Sequence, residues 1–239
     1  VGAEPPPPLA LESVAAKGYP PREPRDDKPT QRPRSQPMRL GRLTPERTLF
    51  LICDVQERFR PAIHKFPAVV SGSLRLLATA RELSIPAIVT EQYPKGLGRT
   101  VAELDTACLA ETGGGVFEKT TFSMLADAAV SGAITGAGRT SLVIAGLEAH
   151  VCVLQSVLDL VGALPDVEVH LCVDAVSSGS PTDRLTGLRR AERAGAFLTT
   201  TEAVMMELIR SKEHPSFKAI SALIKASKLP ASEALEPVA

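Results

Sequence analysis

The stretch Leu142–Gln155, LVIAGLEAHVCVLQ, decides how the chain is read. Its first half is a continuous apolar run of the kind that forms a strand buried on both faces. Glu148–His150 then turn the chain, and a helix is expected over Val151–Val161. That order places Cys152 in the first helical turn, at the C-terminal edge of a parallel sheet, where α/β proteins keep their sites. Free backbone N–H groups and the positive end of the helix dipole favour a thiolate at such a position. Cysteine is also among the most frequently buried side chains, so Cys152 needs partners before it counts as a nucleophile.

The flanking segments supply a sheet for it. Thr48–Asp54, TLFLICD, is another apolar run and reads as a buried strand ending in Asp54. Phe66–Leu83 carries apolar residues at helical spacing, Ser84-Ile85-Pro86 punctuates it, and Ala87–Thr90 begins a second strand. Strand, helix and strand within about forty residues make a βαβ unit with parallel pairing and a right-handed crossover. Glu91–Gly98 reads as a loop, Val116–Lys119 as a short strand after a flexible Gly113–Gly115, and Leu125–Val130 as a helix. Ser131–Arg139, rich in Gly and Ala, reads as a surface connection. Val167–Val173 is a strand ending in Asp174, and Pro181 opens a helix that runs to Arg193. Ala196–Thr199 is the last strand, and helices over Glu202–Arg210 and Pro215–Lys225 finish the chain. Six strands alternating with helices predict a doubly wound, mostly parallel α/β sandwich with helices on both faces.

Residues 1–37 differ from all of this: they hold ten of the twenty prolines and show no apolar periodicity. Such a segment buries too little surface to offset its ordering entropy and is expected to be disordered. A docking tail, an organelle-targeting segment, or an artefact ahead of a start at Met38 are the readings open to it. Its acidic residues argue against targeting, which leaves the cytoplasm as the expected compartment and a mitochondrion or other organelle as the alternative. The folded domain is expected over 38–228, with 229–239 a flexible end.

Composition narrows the function. The 27 basic and 27 acidic residues balance, and Trp is absent, so neither an electrostatic nor a stacking platform for nucleic acid is expected. No apolar run approaches the roughly 20 residues that span a bilayer. Cys53, Cys108, Cys152 and Cys172 are widely spaced, which favours a reduced protein over a disulfide scaffold or structural zinc site. Parallel topology instead gathers Asp54, Gln92, Lys119, Cys152 and Asp174 on one sheet edge. A thiol, a carboxylate and an ammonium there make a workable nucleophilic site.

These residues lie in segments that resemble the isochorismatase-like (cysteine hydrolase) superfamily. The resemblance rests on LFLICDVQERFR (Leu49–Arg60), TEQYPKGLG (Thr90–Gly98), EKTTFSM (Glu118–Met124), GLEAHVCVLQ (Gly146–Gln155) and VDAVSSGS (Val173–Ser180). The TEQYP and GLEAH segments are most similar to the eukaryotic isochorismatase domain-containing proteins. The resemblance implies a catalytic triad of Asp54, Lys119 and Cys152. It also implies a cis peptide at Glu148-Ala149 and an oxyanion hole from the backbone N–H groups of Ala149 and Cys152. Acyl transfer through a Cys152 thioester follows, with an amide-type C–N bond favoured because vinyl-ether hydrolysis needs no thiol.

Relatives that are nicotinamidases carry an Asp-x-His metal motif after the second strand. EQYPKGLG has no histidine, and His64, His150, His170 and His214 are dispersed, so neither metal nor other cofactor is expected. Phe59, Gln92, Tyr93, Phe122 and Ser123 are the candidates for a small-molecule pocket, with core packing the rival role for both phenylalanines. Gly113–Gly115 and GAGRT (Gly136–Thr140) read as neither phosphate cradle nor dinucleotide fingerprint. The resemblance implies a homo-oligomer. The rival functions are a binding or scaffold protein that keeps this fold and, last, a nucleotide binder.

Overall fold

The computed structural model describes residues 39–238, so the expectation of a disordered tail over 1–37 lies outside the described residues. Six strands form one sheet: β1 (Thr48–Cys53), β2 (Ala87–Gln92), β3 (Gly115–Lys119), β4 (Ser141–Leu147), β5 (Glu168–Ser177) and β6 (Phe197–Thr199). All neighbouring strands pair parallel, in the order β3-β2-β1-β4-β5-β6. This is a doubly wound sheet, and the winding direction reverses between β1 and β4. The crevice at such a reversal is where open α/β sheets bind ligands. Asp54 follows β1, and Cys152 follows β4 after a four-residue turn.

Seven helices accompany the strands: α1 (Phe66–Leu83), the single turn α2 (Pro94–Leu97), α3 (Ala128–Gly136), α4 (Cys152–Ala163), α5 (Pro181–Arg193), α6 (Thr201–Ile209) and α7 (Phe217–Ala226). The alternation in β1 shows why both sheet faces are covered. Phe50 and Ile52 join the core beneath α1 and α6, with Val69, Leu76, Val204 and Leu208. Leu49, Leu51 and Cys53 join the opposite core, with Val130, Ile134, Val153, Val157 and Leu188 from α3, α4 and α5. A strand buried on both sides has no reason to alternate polar and apolar residues, and β1 does not. Among the described residues, no helix is long and apolar enough to cross a membrane.

Three local expectations are corrected. The stretch expected to be a connection from Ser131 is the body of α3, whose start is fixed by Asp127 accepting from the N–H groups of Ala129 (3.0 Å) and Val130 (3.2 Å). Its Gly132 and Gly136 face open space, so they cost helix propensity without breaking the helix. Gly114 is needed for close approach rather than flexibility: a Cβ there would lie 1.8 Å from the Ala87 carbonyl oxygen. Finally, β5 continues past Val173 to Ser177 through a register irregularity against β4.

That irregularity removes Asp174 from the site. Its carboxylate accepts from the Thr201 N–H (2.8 Å) and hydroxyl (2.6 Å), holding the first residue of α6. The buried Arg184 answers the carbonyls that the irregularity frees, donating from Nε to Val176 (2.8 Å) and from Nη2 to Val173. The C-terminal stretch, expected to be a flexible end, returns to the fold. Lys65 Nζ donates to the Ala234 carbonyl (2.6 Å) and pairs with Glu236 (2.9 Å), and Val238 packs against the α4 side of the core.

Candidate active site

Asp54 leaves β1 in a left-handed conformation, φ +54°, which an aspartate tolerates better than most residues. The turn swings its carboxylate into the crevice beside β2, where 1% of the residue meets solvent. Thr90 donates its hydroxyl to Asp54 Oδ1 at 2.7 Å, and Lys119 donates from Nζ to Oδ2 at 2.7 Å. Lys119 ends β3 and is equally buried. Its ammonium also reaches Gln92 Oε1 (2.6 Å) and the carbonyls of Thr121 and Phe122 (both 3.2 Å). A buried charge is tolerable only when paired and hydrogen-bonded, and this one is both. Burial works against the ammonium, yet its pairing with Asp54 and the neighbouring sulfurs outweighs it and holds the lysine pKa above its ordinary value.

Cys152 opens α4 and is 7% exposed. Its sulfur lies close enough to Lys119 to act on that ammonium electrostatically. Cys53 itself donates to Asp54 Oδ2 at 3.5 Å. Burial, reinforced by Cys152 and Asp54, pushes the Cys53 thiol well above the usual cysteine range. Burial does the same to Cys172, remote in β5. Neither is a nucleophile at neutral pH. Among Cys53, Cys152 and Cys172, Cys152 is the one with solvent access, and it lies in the field of Lys119.

The turn before Cys152 differs from expectation in two respects. The cis peptide is Leu147-Glu148, one bond earlier than Glu148-Ala149. The Ala149 N–H donates to the Ser177 carbonyl at 2.8 Å, because β5 reaches further along β4 than its sequence suggests. It is therefore spent, and Ala149 does not supply an oxyanion-hole donor in this arrangement. The backbone N–H groups of Glu148, His150 and Cys152 have no acceptor among the described residues, and that of His150 lies against Gly187 of α5. His150 accepts or donates at Nδ1 with the Ser178 hydroxyl (2.9 Å), which directs its ring to β5.

The five pocket candidates separate. Tyr93 is half exposed and lines a cavity of about 300 Å³ with Lys95, Glu118, Lys119, Thr120 and Asp127. Phe122 is also half exposed, beside the lysine cage to which it gives its carbonyl. Phe59 packs against the α1-side core, and core packing is its role. Gln92 holds the site together, receiving Lys119 at Oε1 and donating from Nε2 to the Thr120 carbonyl (2.9 Å). Ser123 is buried, with its hydroxyl unpartnered. A larger groove of about 660 Å³, between α1 and α7, contains none of these groups. Among the described residues, no three His, Cys, Asp or Glu side chains cluster as metal ligands do.

Thr90, which orients Asp54, escaped the sequence reading because a threonine inside a β-branched strand carries no signal of its own. Cys53 escaped because it reads as one more apolar residue of β1.

An open parallel sheet whose order reverses between β1 and β4, with Asp54 and Cys152 at the reversal, defines a doubly wound α/β protein. The isochorismatase domain model matches residues 48–203, and the chain belongs to that family. It is 47% identical over 189 residues to isochorismatase domain-containing protein 1 of Danio rerio, covering 79% of this chain and 64% of that relative. Isochorismatase domain-containing protein 2 of the same fish is 43% identical over 185 residues, covering 77% of this chain and 90% of the relative. The solved structure of the MAR1 ribonuclease from Caenorhabditis elegans superposes with a TM-score of 0.71 at 41% identity, covering 83% of this chain and 98% of that one. The chain thus spans less than two thirds of the first relative's length and nearly the whole of the solved structure.

Proposed function

We propose that the chain is a cysteine hydrolase that cleaves an amide-type C–N bond of a small molecule without a metal. The observation that carries this reading is the buried Asp54–Lys119 pair set beside the slightly exposed Cys152. Asp54 takes the Cys152 proton, and Lys119 holds the developing anion. The sulfur adds to the carbonyl carbon, and the oxyanion accepts from the unengaged Cys152 N–H at the start of α4. Asp54 returns the proton to the departing amine as the C–N bond breaks. Water then adds to the thioester with Asp54 again as base, releasing the carboxylic acid and the free thiol. A homo-oligomer belongs to the same reading.

Ammonia release from a panel of small amides and ureides tests the reaction. Release that disappears in Cys152→Ala supports it; release that survives the substitution overturns it. Relatives described as ribonucleases give a reason to include RNA in the panel. The balanced charge of the chain favours the small molecule. No turnover of any substrate, with the fold intact, would leave the scaffold reading standing.

A further inference from the structure

The loop Thr120–Met124 forms the cage of Lys119, and its two ends are held differently. Gln92 fixes the start through the Thr120 carbonyl at 2.9 Å. Within the loop, Thr121 donates its hydroxyl to the Ser123 carbonyl at 3.0 Å, which shapes the turn whose carbonyls receive the ammonium. The far end is held by α4. The Met124 N–H donates to Ser156 Oγ at 2.9 Å, and Ser156 Oγ donates its own proton to the Cys152 carbonyl at 2.7 Å.

A serine hydroxyl bonded to the carbonyl four residues back is common in helices and means little alone. Here the same oxygen also receives a backbone N–H from a different element, thirty-two residues away in sequence. Ser156 and Met124 are both completely buried, so that N–H has no water to turn to. One hydroxyl thereby joins the cage of the ammonium to the first residue of the helix that presents the sulfur.

We infer that Ser156 is a positioning residue that sets Lys119 against Cys152 by tying the loop Thr120–Met124 to the first turn of α4. The inference rests on Cys152 being the nucleophile. Without the hydroxyl, the Met124 N–H loses its acceptor, the loop shifts to find another, and the two carbonyls that steer Lys119 move with it. The thiolate then loses part of its electrostatic support.

Alkylation of Cys152 by iodoacetamide, followed by peptide mass spectrometry across pH, reads this directly. Ser156→Thr keeps the hydroxyl and is expected to titrate like the unmodified protein. Ser156→Ala, and Ser156→Val, which is isosteric with the threonine variant, are expected to shift the alkylation profile to higher pH by about half a unit or more. The threonine and valine pair reads the hydroxyl even if the alanine variant is too unstable to assay. Melting temperatures are measured alongside, because a merely structural role lowers them without moving the profile. Unmoved profiles in the alanine and valine variants overturn the positioning role. If instead the unmodified protein alkylates Cys152 no more readily than an ordinary exposed thiol, the nucleophile reading itself fails, which is a separate result.

Discussion

Asp54 sits where almost no solvent reaches it, its carboxylate accepting from the Thr90 hydroxyl, the Lys119 ammonium and, more distantly, the Cys53 thiol. Such a pair contributes little to stability, since desolvation consumes most of the attraction, and a hydrophobic replacement of the whole pair is often neutral. Its value lies in chemistry. Asp54→Asn keeps the shape and removes the base, so turnover of whichever amide proves to be a substrate should fall by about 10²–10⁴-fold with KM changed far less. Equal losses in both parameters from binding alone would contradict the assignment. Asp54, Lys119 and Cys152 were legible in the sequence because parallel strands bring their C-terminal ends together and each residue stands at such an end. Thr90 and Ser156 were not, because a hydroxyl in a strand or helix acquires meaning only from what it faces. Asp174 misled for the same reason: it stood at the end of the apolar run, but β5 runs on past it to Ser177.

At the scale of elements, the contact between β1 and β4 matters most, since the two strands carry Asp54 and Cys152. Gly146 pairs with Cys53 in that contact, at φ +117°, and a Cβ there would lie 2.1 Å from the Cys53 carbonyl oxygen. Both strain and overlap oppose any side chain. Gly146→Ala should therefore lower the melting temperature sharply and leave little soluble protein; a normal melt would show that β1 and β4 can separate freely. In β5, His170 stacks on Phe197 with 5.2 Å between ring centres, and its Nε2 has no partner. Burial, aided by the charge of Arg47, lowers its pKa to about 4. Between about pH 6.5 and pH 4 the unfolded chain binds a proton that the folded chain refuses. Stability falls as pH drops through that window, by up to ~1.4 kcal/mol per pH unit, and is unaffected by this group above it. His170→Leu should remove that part of the acid loss, measured by urea unfolding at pH 7.5 and pH 5. An unchanged slope would mean that His170 protonates in place. The strand runs themselves were legible from hydrophobicity, whereas α3 was obscured by its glycines and the end of β5 by Asp174.

Over the described residues, the order β3-β2-β1-β4-β5-β6 places the winding reversal between the strands that carry Asp54 and Cys152, the proposed base and nucleophile. β3, two strands from β1 across β2, carries the ammonium, and the loop after it is tied to α4 through Ser156. Asp54 and Lys119 are each held by bonds to elements other than their own, with β2 contributing Thr90 and Gln92. The sheet order was not legible in the sequence, since hydrophobic runs do not say which strands are neighbours. The expectation of a single edge bearing all the reactive groups followed from parallel pairing alone. The most direct test of the central claim is the pH profile of iodoacetamide alkylation at Cys152, with Cys53 and Cys172 as internal references, in the unmodified protein and in Lys119→Met. Cys152 is expected to be labelled well before the two reference thiols, and Lys119→Met to slow its labelling while leaving theirs unchanged. Labelling of Cys152 no faster than theirs, and indifferent to Lys119→Met, would contradict that claim.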